Sequence, residues 1–240
     1  MRVDSSRSIG VLTLSVLCVI PLWIVLPHSF ADAQAPSLDS VLKKMDAAAA
    51  DFKTAQTDFV FDEYHRVVDE TDTDKGTVYY RRSGDQIEMM AEFTLPDKKF
   101  VLYKDGKLQV YQPKIDQVME YTTGANHQEF ESFLVLGFGG SGEDLKKAFD
   151  VTYQGEETID SVATAKLQLV PKSEKVRGNF PEIFLWIDLS RGISVQQKLV
   201  QTQGDYRLAK YSDIKVNAKI SNEVFHLKTN GKTKFVSPQG

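Results

Sequence analysis

Cysteine is all but missing from this chain: its 240 residues hold one, Cys18. That residue falls in an N-terminal stretch laid out like an export signal, so the part that remains after cleavage has none. The absence excludes disulfides as the staple of an exported domain, which must then be held by its core. It also removes the thiolate ligands of the usual zinc sites. Histidine is scarce too. Beyond the N-terminal stretch only His65, His127 and His226 occur, on separate predicted elements and in no metal-ligand spacing. No Gly-x-Ser-x-Gly elbow is present. Carboxylates such as the Glu156-Glu157 pair are adjacent within a predicted strand and point to opposite faces, so no catalytic residue, metal or cofactor is expected. An excess of positive charge is lacking as well. The chain carries 29 Lys and Arg against 33 Asp and Glu, a net charge of −4 at pH 7, and a nucleic-acid partner calls for a basic surface.

Long apolar runs are confined to the start. Arg2 and Arg7 flank a short polar opening, residues 9–26 are almost wholly apolar, and Ala31-Asp32-Ala33 forms a small-x-small site before Gln34. Residues 1–33 are therefore expected to be a signal peptide cleaved near Ala33. A retained membrane anchor is the alternative, and Pro21 inside the run argues against it. Val16-Leu17 before Cys18 lacks the small residue that lipid attachment requires. Residues 34–240 are enough for one sizeable domain, and no linker, low-complexity tract or repeat divides them.

What the chain does have is alternation. In residues 86–95, apolar Ile87, Met89, Ala91, Phe93 and Leu95 alternate with Glu88, Met90, Glu92 and Thr94. A period of two predicts a strand with one apolar and one mostly wet face. Further strands are predicted over 57–64, 76–82, 99–103, 108–112, 117–121, 150–153, 163–170, 182–188, 194–201 and 206–216, with a short last one near 225–228. Residues 69–75 read as an acidic hairpin tip. Asp105-Gly106 reads as a tight turn. Ile183-Phe184-Leu185-Trp186-Ile187 is apolar on both faces, which a single-layer sheet with a wet back does not need. A curved sheet with helices against it does. Its interior is either a packed core or a ligand cavity.

Three helices are predicted. The first begins at Ser37 and places Leu38, Val41, Leu42, Met45, Ala49 and Phe52 on one face. The second has Asn126 and Glu129 as its cap, Phe130, Phe133 and Leu134 on one face, and Gly137 as its stop. The third starts at Ser141 and buries Leu145, Ala148 and Phe149. Between the last two, Gly137-Phe138-Gly139-Gly140-Ser141-Gly142 matches G-x-G-x-x-G, but a predicted helix precedes it where a dinucleotide site needs a strand. A glycine hinge between two covering helices is expected there. At the end of another strand, Arg81-Arg82 follows Tyr79-Tyr80, and alternation turns one arginine inward. Inside an apolar enclosure it needs acceptors, such as helix carbonyls; at the rim it would instead join an ion pair.

Taken in order, these pieces resemble the LolA-like family of periplasmic outer-membrane lipoprotein carriers. The resemblance runs from the first helix into Phe52 and through Gly76-Thr77-Val78-Tyr79-Tyr80-Arg81-Arg82. It continues in Tyr103-Lys104-Asp105-Gly106-Lys107-Leu108-Gln109-Val110-Tyr111-Gln112-Pro113, Phe133-Leu134, Leu167-Gln168-Leu169-Val170-Pro171-Lys172, residues 183–188 with Gly192, and Phe225-His226-Leu227. It implies a mainly β protein with helices (α+β), an incomplete antiparallel β-barrel covered by lid helices and enclosing a hydrophobic cavity. It implies a periplasmic carrier that binds the acyl chains of lipoproteins, or another lipid. The implied partners are an inner-membrane transporter and an outer-membrane receptor. By the same likeness Arg82 bonds to the lid and holds the closed form, Ile87, Met89, Ala91 and Phe93 face the cavity, and Phe130, Phe133 and Leu134 lie on the lid. A lipid- or lipoprotein-sensing module without transport is the second expectation on this fold. The chain departs from the family pattern at Ser83, at Thr229-Asn230-Gly231 and in the glycine-rich run.

Overall fold

Ser37 turns the chain into its first helix. Its hydroxyl oxygen accepts a hydrogen bond from the Ser40 amide at 3.2 Å, occupying one of the unpaired donors of the first turn. This helix, α1, covers Leu38–Asp51 and buries Val41, Leu42, Met45 and Ala49, the predicted stripe. Phe52 ends it in extended backbone. The computed structural model describes residues 1, 36–84, 86–122, 136 and 138–237.

After α1 the chain is mostly strand. In order come β1 (Thr54–His65), β2 (Glu70–Ser83), β3 (Gln86–Leu95), β4 (Lys99–Lys104), β5 (Lys107–Gln112) and β6 (Gln117–Thr122). Helix α2 (Gly142–Ala148) leads into β7 (Phe149–Ile159) and β8 (Val162–Pro171). A short α3 (Glu174–Asn179), which the sequence pattern does not predict, precedes β9 (Glu182–Asp188), β10 (Ser194–Val200) and β11 (Tyr206–Val216), and β12 (Lys234–Val236) closes the series. All belong to one 12-stranded sheet, ordered β12-β6-β5-β4-β3-β2-β1-β11-β10-β9-β8-β7. Neighbours are antiparallel except β12, which runs parallel to β6. Among the described residues the end strands β7 and β12 do not pair with each other, so the sheet curls without closing. The result is an incomplete antiparallel barrel with helices against it.

The inner face carries two clusters. One is a filled core in which Val41, Leu42 and Met45 of α1 meet Leu167 and Leu169 of β8 and Ile183, Leu185 and Ile187 of β9, with Leu136, Leu145 and Phe149 around them. The second lies over β1 to β4 and joins Phe52, Ala55, Phe59, Val78, Tyr80, Ile87, Met89, Ala91, Tyr103 and Phe138. The inward row of 183–187 thus belongs to the core. On the opposite face of β9, Trp186 donates to Glu157 Oε2 at 2.6 Å, and the Lys166 ammonium lies 5.0 Å from the Trp186 ring centre.

Three expectations are corrected. Residues 70–75, read as a hairpin tip, are the first part of β2, paired with β1 out to His65 and Glu70. The hairpin arm extends into solvent, so it needs no apolar face and carries no alternation to read. The last strand is Lys234–Val236, whereas Asn222–Phe225 forms a 3-10 turn. That turn accounts for the third correction. It lays Phe225 against Met90 and Leu102 on the outer face of β3 and β4, so Met90 and Glu88 are buried rather than wet.

Candidate functional site

The register of β2 on β3 assembles the site. Antiparallel pairing sets Arg82 opposite Ile87, Tyr80 opposite Met89, Val78 opposite Ala91 and Gly76 opposite Phe93. Alternation then turns Val78, Tyr80 and Arg82 to the same face as Ile87, Met89, Ala91 and Phe93. Ile87, Met89 and Ala91 are buried there, and Phe93 is half-buried with its ring edge-on to Phe59 at 5.1 Å. The sequence-predicted cavity positions of β3 therefore share one apolar surface. Phe130, Phe133 and Leu134, with the rest of the predicted second helix up to residue 135, lie outside the described residues.

Phe138 sits in the middle of this surface. It is 0% exposed, stacks on Tyr80 at 5.5 Å and 14°, and meets Tyr211 edge-on at 4.8 Å and 87°. Such ring pairs contribute about 0.5–1.5 kcal/mol beyond the area they bury. The ring arrives there on a short segment braced on both sides by side chains. Arg82 Nη2 donates to the Gly139 carbonyl at 2.8 Å, with its guanidinium 5.7 Å from the Phe52 ring. From β10, buried Gln197 donates to the Leu136 carbonyl. Arg82 is exposed at the rim rather than enclosed, so its charge stays hydrated while one N–H reaches the loop. Of the two rim arginines, Arg81 is the one in an ion pair, with Glu88 on the outer face.

Two glycines of the glycine-rich run, Gly139 and Gly142, pack closely against α1 and its end. Gly139 has φ +82°, and a Cβ added there would stand 2.5 Å from Phe52 Cδ1. At Gly142 a Cβ would stand 2.7 Å from Leu42 Cβ. Small residues at these two points let the backbone lie against α1 closely enough for Phe138 to reach the sheet. Ser141 then caps α2 by accepting from the Asp144 amide at 3.0 Å.

The surface also carries phenol hydroxyls, among them those of Tyr80 and Tyr211. Burial pushes both phenols well above the usual tyrosine range, and at Tyr211 the neighbouring Tyr80 adds to it. Both are therefore protonated donors at any physiological pH. Tyr211 also lines a cleft of about 340 Å³ together with Ile159, Asp160, Val162, Arg191 and Val195. Among the described residues no cluster of His, Cys, Asp or Glu could hold a metal ion, and no helix is long and apolar enough to cross a membrane.

Sequence reasoning misses Phe138 and Gln197 as site residues. The one signal for Phe138 is an isolated aromatic set among glycines. Gln197 follows Gln196 in a strand otherwise expected to alternate, and nothing local tells which of the two turns inward.

No family model matches this chain, and no curated protein matches it in sequence. Solved structures do resemble it. An uncharacterized conserved protein from Thermus thermophilus is 12% identical over 84% of this chain and 99% of that one, with a TM-score of 0.53. MucB is 14% identical over 80% of this chain, with a TM-score of 0.51, and this chain spans 63% of the MucB chain, under two thirds of its length. A LolA superfamily protein from Nitrosomonas europaea is 14% identical over 80% of this chain and 99% of that one, with a TM-score of 0.39. At such identities the likeness is one of architecture. The chain shares with the Thermus thermophilus protein and MucB an open antiparallel sheet with helices against it.

Proposed function

We propose that this protein is an exported carrier that shields the acyl chains of lipoproteins, or of a related lipid, while they cross the periplasm between two membranes. The observation that carries the reading is Phe138. An aromatic side chain covers a mostly apolar inner surface, and the segment bearing it is fastened by side-chain-to-backbone hydrogen bonds from Arg82 and Gln197. Bonds of that kind are individually modest, so the segment can leave when something better fills its place. An acyl chain is such a guest, because each methylene withdrawn from water contributes about 0.8 kcal/mol. The surface left behind would be Ile87, Met89, Ala91 and Phe93 with the rings of Phe59 and Tyr80. Arg82 then serves as the latch of the closed form. The signal-like segment 1–33 supports export, and the apolar surface supports binding rather than catalysis. Docking to an inner-membrane transporter and an outer-membrane receptor belongs to the same proposal.

The test is to purify the protein from a Gram-negative host after export, identify bound lipid by mass spectrometry, and offer the loaded protein to vesicles carrying outer-membrane proteins. Acyl cargo that moves to the vesicles supports a carrier. Cargo that binds and stays supports the second reading, a lipid-sensing module. A protein that neither retains acyl cargo nor takes up a triacylated lipopeptide sinks both.

A further inference from the structure

Charge is spread unevenly between the body of the chain and its end. Residues 215–237 hold five lysines and one glutamate, a net charge of +4 in a chain whose total is −4. From the end of β11 this segment crosses the outer face of the sheet. Asn217 bonds to the backbone of Lys53 and Thr54, Phe225 sits on Met90 and Leu102, and β12 comes to rest beside β6. Lys215, Lys219, Lys228, Lys232 and Lys234 are all exposed, and none pairs with a carboxylate among the described residues. Lysines elsewhere do so: Lys107, Lys114, Lys147 and Lys166 stand 2.8 to 3.4 Å from an acid. Two acids on or just before β6 are already engaged. Asp116 accepts from Asn230 and Thr233, and Glu120 accepts from Lys107 and Gln109. The same edge is apolar. Eight large apolar side chains are exposed among the described residues after 35, and four of them (Ile115, Tyr121, Phe235 and Val236) lie on β6, β12 or the turn before β6.

We propose that the edge formed by β6 and β12, with the lysines that lead to it, is a docking surface for a membrane bearing anionic phospholipid. The proposal goes beyond the carrier reading and does not depend on it, since this edge lies outside the strands β1 to β4 that carry the Phe138 surface. The charge type suits a bilayer. An unpaired lysine is a mobile point charge that meets a diffuse negative surface without a matched geometry, whereas the fixed carboxylates of a protein partner are best met by the planar fork of arginine. The segment has five lysines and no arginine. Beside those charges, Phe235 and Val236 are free to enter the interfacial layer, where aromatic and aliphatic side chains are favoured. The acidic remainder of the chain is held off the same surface, so the attraction also sets the orientation, with β12 toward the lipid. Such a contact, with no lipid anchor and no apolar spanning helix among the described residues, is reversible.

The experiment measures co-sedimentation of the full mature protein with two sets of vesicles, phosphatidylethanolamine with phosphatidylglycerol and phosphatidylethanolamine with phosphatidylcholine. The wild type is expected to bind the anionic vesicles roughly tenfold more tightly and to lose that preference in high salt. Lys228→Gln/Lys232→Gln/Lys234→Gln should reduce binding to the anionic vesicles roughly tenfold, and Phe235→Ser should weaken it as well. All four side chains are exposed, and circular dichroism reports that both variants are folded. Because the mature chain has no cysteine, a polarity-sensitive dye on Ser237→Cys reads the contact directly. Its emission should shift to the blue on anionic vesicles, while a dye on Glu156→Cys, on the opposite end strand β7, should stay unchanged. Equal binding to the two vesicle sets, anionic binding that survives in the triple lysine variant, or dyes that shift alike at both positions overturns the proposal. So does a wild type that binds neither vesicle, and its retention on immobilised polyglutamate would then assign the lysines to an acidic protein partner.

Discussion

Arg81 and Arg82 are neighbours in β2, point to opposite faces of the sheet, and tie down segments far apart in sequence. Arg81 pairs with Glu88, donates to Asn222 Oδ1 and lies 4.2 Å from the centre of the Phe225 ring, fastening the C-terminal turn to the outer face. Arg82 holds the Gly139 carbonyl on the inner face. Because side chains alternate along a strand, one step of register separates the two tasks. Any rearrangement that slides β2 against β3 would disturb both.

Removing the inner tie tests how much it contributes. Arg82→Leu deletes the bond to Gly139 and the contact with Phe52. Because the arginine is exposed, the expected loss of stability is small, about 1 kcal/mol. The larger effect is expected in binding of a fluorescent apolar dye, which should rise as Phe138 leaves the sheet more often. Dye binding and acyl loading unchanged from wild type would remove Arg82 from the mechanism.

Phe138→Ala should move stability and affinity in opposite directions. Losing a fully buried ring costs about 3–5 kcal/mol in typical cores, which denaturant unfolding would register. The same change vacates the inner surface, so acyl probes should bind more tightly per folded molecule. If affinity falls together with stability, the ring is ordinary core.

Gly139→Ala meets two obstacles. The residue has φ +82°, and its new methyl would collide with the Phe52 ring at 2.5 Å. A loss of roughly 1–3 kcal/mol is expected. Gly84→Ala is the natural comparison, since its φ of +61° is also left-handed but nothing lies within 4 Å of the added carbon. Equal losses in the two variants would show that the contact with Phe52 contributes nothing.

On the outer face, Phe225→Ala should release the C-terminal turn from Met90 and Leu102. Trypsin is then expected to cut near Lys219 and Lys228 sooner than in the wild type, while acyl binding on the inner face is retained. Unchanged digestion would mean that other contacts hold the turn.

Asp188 gives the fold an acid-sensitive point. Burial pushes its carboxyl up, but hydrogen bonds from the Ser190 hydroxyl, the Arg191 guanidinium and both backbone amides outweigh this, and the net pKa lies below the ordinary 3.8. A group with a depressed folded-state pKa contributes stability that is present above its unfolded value and lost as pH falls through the folded one. Asp188→Asn should therefore cost about 2 kcal/mol near neutral pH, and the gap to wild type should shrink below about pH 4 as the wild-type carboxyl protonates. Urea midpoints at neutral and acid pH measure it. A gap of constant size would assign the loss to geometry rather than charge.

Much of this architecture was readable one residue at a time. The predicted strands 86–95, 182–188 and 206–216 match the structure to the residue, and Ser37 marks the start of α1. Local rules suffice where an element's two faces see different surroundings. They fail at residues 70–75, where both faces see water and the strand survives by pairing with β1 alone. They fail again at Met90, whose cover comes from Phe225, far along the chain. The site divides in the same way. The inner row Ile87, Met89 and Ala91 follows from period two, whereas Phe138 and Gln197 acquire their roles only when β10, β2 and the glycine-rich segment meet.

The close approach of Gly142 to Leu42 limits how far Phe138 can travel. With the chain pinned against α1 at residue 142, only residues 139–141 separate that anchor from the ring-bearing residue, and the four steps from 142 to 138 span at most roughly 14 Å. Phe138 is on a short leash. On the proposed carrier reading it would swing clear of an arriving guest without drifting away, and would return as soon as the guest departs, without any search through solution.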